Sequence, residues 1–378
     1  MSMTLNVDDY IYATARERRK LAIHVMATEL DPALATSSAN KLKRIIDGSF
    51  RPVVISGDVD GVTSAALLGS VTQNCKVVAV VNNKDREVYV HPDFATKRPD
   101  NLLGLDVFSP EFDNVSNHIV LFGEKRLSVP AVLMAFNDWD QKVLKAAASP
   151  NRLMAVPGIS GHTQAGYSDA EKIDSSKYKY PLGTAQWLLA LLEVIGKSPK
   201  FYERQYLPWL IANCDGGVTS YRDYGYNVEI WWSTMAAAVG SMSQSEMIYS
   251  MIRNMRPLDY VNTVHQLQRE FQHAGEPIFD DKLNLRNSRM TGIKDAFNWI
   301  HDVSGWSDPV HGSIQSMDNW ITIAVDPKNH GIVSLKPSEI TDPAGDAARI
   351  DTATKALNAN FYIGGETGSR FNWMGGWE

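Results

Sequence analysis

Two carboxylates stand one residue apart in a turn that follows a short apolar run. The β-branched residues of Val53–Ile55 predict a buried strand, Asp58 and Asp60 follow it, and Thr63–Leu68 predicts a helix. Open α/β sheets bind ligands at the carboxyl ends of their strands. Because adjacent carboxylates repel each other unless a cation compensates, the pattern favours metal-assisted phosphate chemistry. Aspartate before a helix also often serves only as a helix cap, and this alternative stays open.

Further candidate ligands stand at the ends of other predicted core elements. The apolar run Leu102–Leu105 ends at Asp106, His118 directly precedes the predicted strand Ile119–Phe122, and Asp215 follows an apolar helical segment. Carboxylate and imidazole ligands suit Mn²⁺ or a similar divalent ion. Converging carboxylates would be costly unless about two such cations neutralised them. We therefore expect one metal site formed by Asp58, Asp60, Asp106, His118 and Asp215.

These motifs resemble those of the DHH phosphoesterase superfamily, which includes RecJ-type exonucleases, nano-RNases and manganese pyrophosphatases. The resemblance rests on residues 58–66 for the first motif, Gly104-Leu105-Asp106 for the second, Asn117-His118 for the Asp-His-His motif and Cys214-Asp215 for the fourth. It implies two Mn²⁺ ions, with Mg²⁺ as an alternative, and a nucleophilic water. It also implies catalytic roles for Asp60, Asp106 and His118.

A glycine-rich stretch near the C-terminus resembles the substrate loop of the same superfamily. Glycines free backbone N–H groups, and a neighbouring guanidinium offers a planar fork for phosphate. We therefore expect Gly364, Gly365 and Arg370 to bind the substrate. The expected function is Mn²⁺-dependent hydrolysis of a phosphodiester in a short single-stranded nucleic acid or a small nucleotide.

Two alternatives remain open. Asn117 stands in place of the signature aspartate, which keeps a non-catalytic nucleotide-binding or scaffold protein with a degenerate site in consideration. The run Asp58-Val59-Asp60-Gly61-Val62 also fits the motif of haloacid-dehalogenase-type phosphatases, in which Asp58 would be a covalent nucleophile.

The order of predicted elements indicates an α/β fold with a mostly parallel sheet. Predicted strands at 53–55, 77–81, 102–107 and 119–122 alternate with helices or loops, and residues 149–181 are expected to form a long surface loop. We expect four parts: an N-terminal helical extension, a DHH-like α/β domain, a helical spacer and a small α+β substrate-binding domain. Their boundaries are 1–48, 49–232, 233–308 and 309–378.

Composition narrows the class of protein. The chain has 378 residues, 44% of them hydrophobic and 21% charged, and a net charge of −6. These values are typical of a globular protein, and the acidic balance weakly favours short or small nucleotides over long duplexes. No apolar run reaches the length of a membrane span, and Cys75 and Cys214 are too few for a disulfide framework. We therefore expect a cytoplasmic protein, and its oligomeric state stays open.

Overall fold

The structure is a computed structural model that describes eleven segments of the chain. These are residues 38–117, 130–156, 183–200, 239–240, 242–254, 256–270, 277–280, 284–327, 330–334, 363–367 and 370–377. Within them, no helix is both long enough and apolar enough to cross a membrane.

The described strands form two sheets. The main sheet has seven strands in the order β6-β5-β4-β1-β2-β3-β7. Their bounds are β1 Arg51–Ser56, β2 Cys75–Asn82, β3 Glu87–Val90, β4 Leu103–Leu105, β5 Asp113–Val115, β6 Met154–Ala155 and β7 Ile321–Ala324. Strands β2, β1, β4, β5 and β6 form parallel pairs, and at one edge β3 pairs antiparallel with both β2 and β7. The predicted α/β class with a mostly parallel sheet is confirmed.

The second sheet is antiparallel and has three strands in the order β8-β10-β9. Their bounds are β8 His330–Ser334, β9 Ile363–Thr367 and β10 Arg370–Met374. Just beyond β10, Trp377 is buried in an apolar cluster that includes Val54 and Val78 of the main sheet. Its indole Nε1 donates a hydrogen bond of 3.0 Å to the Phe94 carbonyl. The end of the chain therefore packs directly on the main sheet.

Seven α-helices lie in the described residues. They are α1 Ser38–Ile46, α2 Val59–Gly69, α3 Pro130–Ala148, α4 Thr184–Val194, α5 Gln244–Asn254, α6 Pro257–Glu270 and α7 Met290–Ser304. Helix α2 packs against both α4 and α7, and nearly every residue of α2 and α4 is buried. A helix that is apolar on all sides belongs in a core, and α2 and α4 fit that rule.

The order of the parallel strands reverses at β1. The chain passes from β1 through α2 to β2 on one side, whereas β4 pairs with the other side of β1. In open α/β sheets such a reversal opens a crevice at the carboxyl ends of the two strands, and ligands bind there. The crevice of this sheet therefore lies beyond Ser56 and Leu105.

The structure agrees with most of the predicted elements that it describes and corrects two. Strands β1, β2 and β4 match the strands predicted at 53–55, 77–81 and 102–107, and α2 includes the helix predicted over Thr63–Leu68. The strand predicted at 119–122 lies outside the described residues. Met154–Ala155 lies inside the predicted surface loop 149–181, yet it is a buried strand parallel to β5. Gly364 and Gly365 lie in β9 rather than in a loop. Two residues are too few for a strand pattern, and glycines carry no side chain that would mark one.

The four-part division of the chain stays a prediction. Of the N-terminal extension, 1–48, the described part is helical at Ser38–Ile46. Helices α5, α6 and α7 lie in the predicted spacer, 233–308. Strand β7, from the predicted C-terminal domain, pairs with β3 in the main sheet.

A substitution of Gly61 tests how closely the start of α2 packs against the end of β1. A Cβ at this position would lie 2.3 Å from both the carbonyl oxygen and the hydroxyl of Ser56. We expect Gly61→Ala to lower the free energy of unfolding by about 1–3 kcal/mol, because overpacking outweighs the gain in helix propensity. Urea unfolding followed by circular dichroism measures this effect.

Ser64→Ala is the matched control, since it also introduces alanine into α2. The Ser64 hydroxyl is buried and lacks a hydrogen-bond partner within the described segments, so its removal should be neutral or stabilising. Equal stability of Gly61→Ala and the wild type would contradict the close approach of Gly61 to Ser56.

Candidate functional site

Asp58 lies at the mouth of the crevice and caps α2. Its backbone is extended, and its Oδ1 accepts hydrogen bonds from the Gly61 N–H at 2.9 Å and the Ser56 hydroxyl at 2.7 Å. Capping of this kind satisfies one of the free N–H groups at a helix start. The capping role considered from the sequence is therefore confirmed. The residue is also exposed, so a ligand in the crevice could reach it.

Asp60 is buried and holds the start of a second helix. Its two oxygens accept the backbone N–H groups of Thr184, at 2.6 Å, and Ala185, at 2.8 Å. Gly183 precedes this helix and has no side chain that could cap it. The carboxylate of Asp60 therefore replaces the missing cap and meets the partial positive charge of the α4 N-terminus. These bonds use two of the about four lone-pair positions of a carboxylate.

Asp106 follows β4 in a conformation that few residues adopt. Its φ is +58°, in the left-handed region, and its relative exposure is 1%. Its two oxygens accept hydrogen bonds from different hydroxyls, Oδ1 from Thr184 at 2.7 Å and Oδ2 from Ser56 at 2.5 Å. Asparagine and aspartate tolerate this backbone region better than most residues. Strained backbone of this kind often marks a functional site.

The Ser56 hydroxyl links two of the carboxylates. Its oxygen lies 2.7 Å from Asp58 Oδ1 and 2.5 Å from Asp106 Oδ2. A serine hydroxyl has one proton, so it can donate to only one of these two oxygens at a time. The other contact joins two oxygens and is repulsive unless a proton or a positive charge compensates. A positive charge beside Asp58 and Asp106 would stabilise this arrangement.

The Thr184 hydroxyl links Asp106 to Asn117. It lies between these two residues, and it accepts the Asn117 backbone N–H at 3.0 Å. The Asn117 side chain is buried, and its Nδ2 lacks a hydrogen-bond partner in the described part of the chain. A buried donor without an acceptor is costly, so this amide is suited to an oxygen of a bound water or ligand.

The structure brings together three of the predicted site residues. Asp58 and Asp106 share Ser56, and Asp106 and Asp60 both contact Thr184. His118 and Asp215 lie outside the described residues, and their roles stay predictions. For Gly364, Gly365 and Arg370 the structure gives the backbone, as parts of β9 and β10, and their predicted contact with substrate is likewise untested.

Sequence reasoning did not assign roles to Ser56, Thr184 or Asn117 as members of a hydrogen-bonded network. Ser56 is the last residue of its strand, and Thr184 is the first residue of a helix that follows glycine. A serine or threonine at such a boundary is therefore a sequence signal for a candidate member of the network. The long-range partner of each hydroxyl, however, follows only from the fold.

Comparisons with known proteins leave the resemblance untested. The chain matches no protein-family model, no curated protein and no solved structure. The DHH-like interpretation therefore rests on the quoted motifs.

Thr184→Val tests the hydroxyl network. The change removes the donor to Asp106 and the acceptor of the Asn117 N–H while it keeps the side-chain volume. We expect a loss of about 1–3 kcal/mol in the free energy of unfolding, because buried polar groups lose a partner. Thr184→Ser keeps the hydroxyl and should cost less. Chemical denaturation of both variants measures the difference, and a Thr184→Val protein at least as stable as Thr184→Ser would contradict the network.

Proposed function

We propose that the protein is a Mn²⁺-dependent phosphoesterase that hydrolyses a phosphodiester in a short single-stranded nucleic acid or a small nucleotide. One observation carries the proposal. Asp58 and Asp106, from the carboxyl ends of β1 and β4, converge on the Ser56 hydroxyl at the point where the strand order reverses. Sheets of this kind bind phosphate-containing ligands at such a point.

The donor groups suit a hard divalent cation. Asp58, Asp60 and Asp106 offer carboxylate oxygens, and oxygen donors select Mn²⁺ or Mg²⁺ over metals that prefer thiolates. A cation there would also compensate the close approach of two carboxylates to the Ser56 hydroxyl. Asp58 and Asp106 would hold the metal, and His118 and Asp215 remain expected ligands. A bound divalent metal would lower the pKa of coordinated water and neutralise charge on the phosphate.

The chain's own residues would orient the substrate. Asp60 fixes the start of α4, and through it Thr184, at the base of the crevice. The buried amide of Asn117 would donate to a phosphate oxygen, which would satisfy the partnerless Nδ2 of the described structure. Arg370 would pair with a second phosphate oxygen, as expected from the sequence.

A second candidate function is supported by the capping bonds. Asp58 caps α2 and Asp60 caps α4, and neither role needs a metal. A non-catalytic nucleotide-binding or scaffold protein could keep both residues for the fold alone. The dehalogenase-type alternative also remains, because Asp58 is exposed as a covalent nucleophile must be.

Asp106→Asn tests the proposed activity, with Asp113→Asn as its matched control. Both aspartates are buried beside the pair of strands β4 and β5. Asp106 follows β4, whereas Asp113 begins β5, forms an ion pair with Arg51 at 3.1 Å and accepts a hydrogen bond from the Leu153 N–H. The assay uses labelled dinucleotides, cyclic dinucleotides, single-stranded oligomers and a generic phosphomonoester, each with Mn²⁺, Mg²⁺ or chelator. We expect Asp106→Asn to lower Mn²⁺-dependent diester hydrolysis by about 100-fold or more, since it weakens the electrostatic support of the reaction.

The control separates loss of activity from loss of stability. Asp113→Asn should lower the melting temperature, because it breaks a part-buried ion pair, yet leave the activity per folded molecule within a few-fold of wild type. Nucleotide binding without turnover in wild type would favour the scaffold function. Hydrolysis of the phosphomonoester alone, with a trapped acyl-phosphate on Asp58, would favour the dehalogenase-type mechanism.

A further inference from the structure

A second group of candidate ligands lies at the opposite end of the main sheet. His91 follows β3, Asp93 lies in the 3₁₀ turn Pro92–Phe94, and His311 lies in the segment that precedes the 3₁₀ helix Ile314–Asn319. Among the described residues, this is the one group of three or more His, Cys, Asp or Glu side chains whose ligand atoms all lie within 4.8 Å of one another. None of its members belongs to the site at Asp58 and Asp106.

The backbone holds both histidines against neighbouring residues of one strand. The His91 N–H donates to the Val78 carbonyl at 2.8 Å, and the His311 N–H donates to the Val77 carbonyl at 3.0 Å. Val77 and Val78 lie near the start of β2, in the buried centre of the sheet. The backbones of both histidines are therefore fixed on a buried strand of the main sheet, and their ring centroids are 4.7 Å apart.

The distances between donor atoms suit a small divalent cation. Asp93 Oδ2 lies 3.7 Å from His91 Nδ1 and 3.7 Å from His311 Nε2. Ligand bonds of about 2.0–2.2 Å in a tetrahedral zinc site place neighbouring donor atoms roughly 3.3–3.6 Å apart. The two distances from Asp93 are within a few tenths of an ångström of this spacing, and all three donor atoms lie within 4.8 Å of one another. We propose that His91, Asp93 and His311 bind a divalent transition-metal ion of the Zn²⁺ class.

The surroundings of the cluster support this assignment. His91 Nδ1 accepts the Asp93 backbone N–H at 3.2 Å, which orients the ring toward Asp93, and a metal bound at Nδ1 would replace this hydrogen bond. The rings of Phe94 and Trp320 lie 6.0 Å from that of His91. An apolar shell of this kind strengthens metal–ligand bonds by excluding water.

The site is open on one side. The side chain of Asp93 is 69% exposed, whereas those of His91 and His311 are 14% and 31% exposed. Three protein ligands and a solvent-facing fourth position are the arrangement of zinc sites that keep a bound water. The inference is independent of the proposed function, because it uses different residues and a different class of metal.

Equilibrium dialysis against Zn²⁺, followed by elemental analysis of the full-length protein, tests the site. The variants are Asp93→Ala, which changes an exposed side chain and should not affect folding, and His311→Ala. We expect each to weaken Zn²⁺ binding by more than the roughly 10–100-fold that loss of an outer-shell partner costs. His265→Ala, on α6, and Asp106→Asn are controls that should keep this zinc ion.

Co²⁺ gives a second readout that reports the ligands directly. Wild type and both controls should show the visible absorption of four-coordinate Co²⁺, and Asp93→Ala and His311→Ala should lose it. The proposal is overturned if wild type binds no Zn²⁺, or if both site variants retain the zinc and the Co²⁺ spectrum. Loss of zinc in Asp106→Asn alone would also overturn it and assign the ion to the carboxylate cluster.

Discussion

The hydrogen bonds between the Asp60 carboxylate and the N-terminus of α4 hold the candidate site together. They join the start of α2 to a helix that lies more than one hundred residues further along the chain. The bonds place Thr184 where its hydroxyl can reach Asp106, and they bring Asn117 into the same network. A buried carboxylate without such partners would be strongly destabilising. The N–H groups of α4 are therefore what allow an acidic residue to occupy the base of the crevice.

The site gathers three carboxylates close to the N-terminus of one helix. One helix N-terminus carries a partial charge of about half a unit, which compensates only part of one carboxylate. In addition, Asp58 and Asp106 both contact the hydroxyl of Ser56, which has one proton to donate. A bound cation would stabilise the fold at this point, since it would relieve the repulsion between the two carboxylates. The amino end of the sheet is different, because there a single exposed carboxylate lies beside two histidine side chains.

Sequence patterns predicted the parts of the fold that have a strong local signal. Runs rich in β-branched residues identified β1 and β2, and the acidic turn after β1 identified the edge of the sheet where Asp58 lies. The two-residue strand β6 had no such signal, because its pairing with β5 is a tertiary contact. The histidine cluster was missed for the same reason. His91 and His311 are far apart in the chain, and only their hydrogen bonds to β2 bring them together.

Crystals grown with Mn²⁺ and measured at the manganese absorption edge would test the proposed metal centre most directly. Anomalous difference density should lie at the carboxyl ends of β1 and β4, within coordination distance of Asp58 and Asp106. Density there that disappears in Asp106→Asn crystals would agree with a metal-dependent site. Well-ordered carboxylates with no anomalous density between them, at saturating Mn²⁺, would contradict it and leave Asp58 and Asp60 as helix caps.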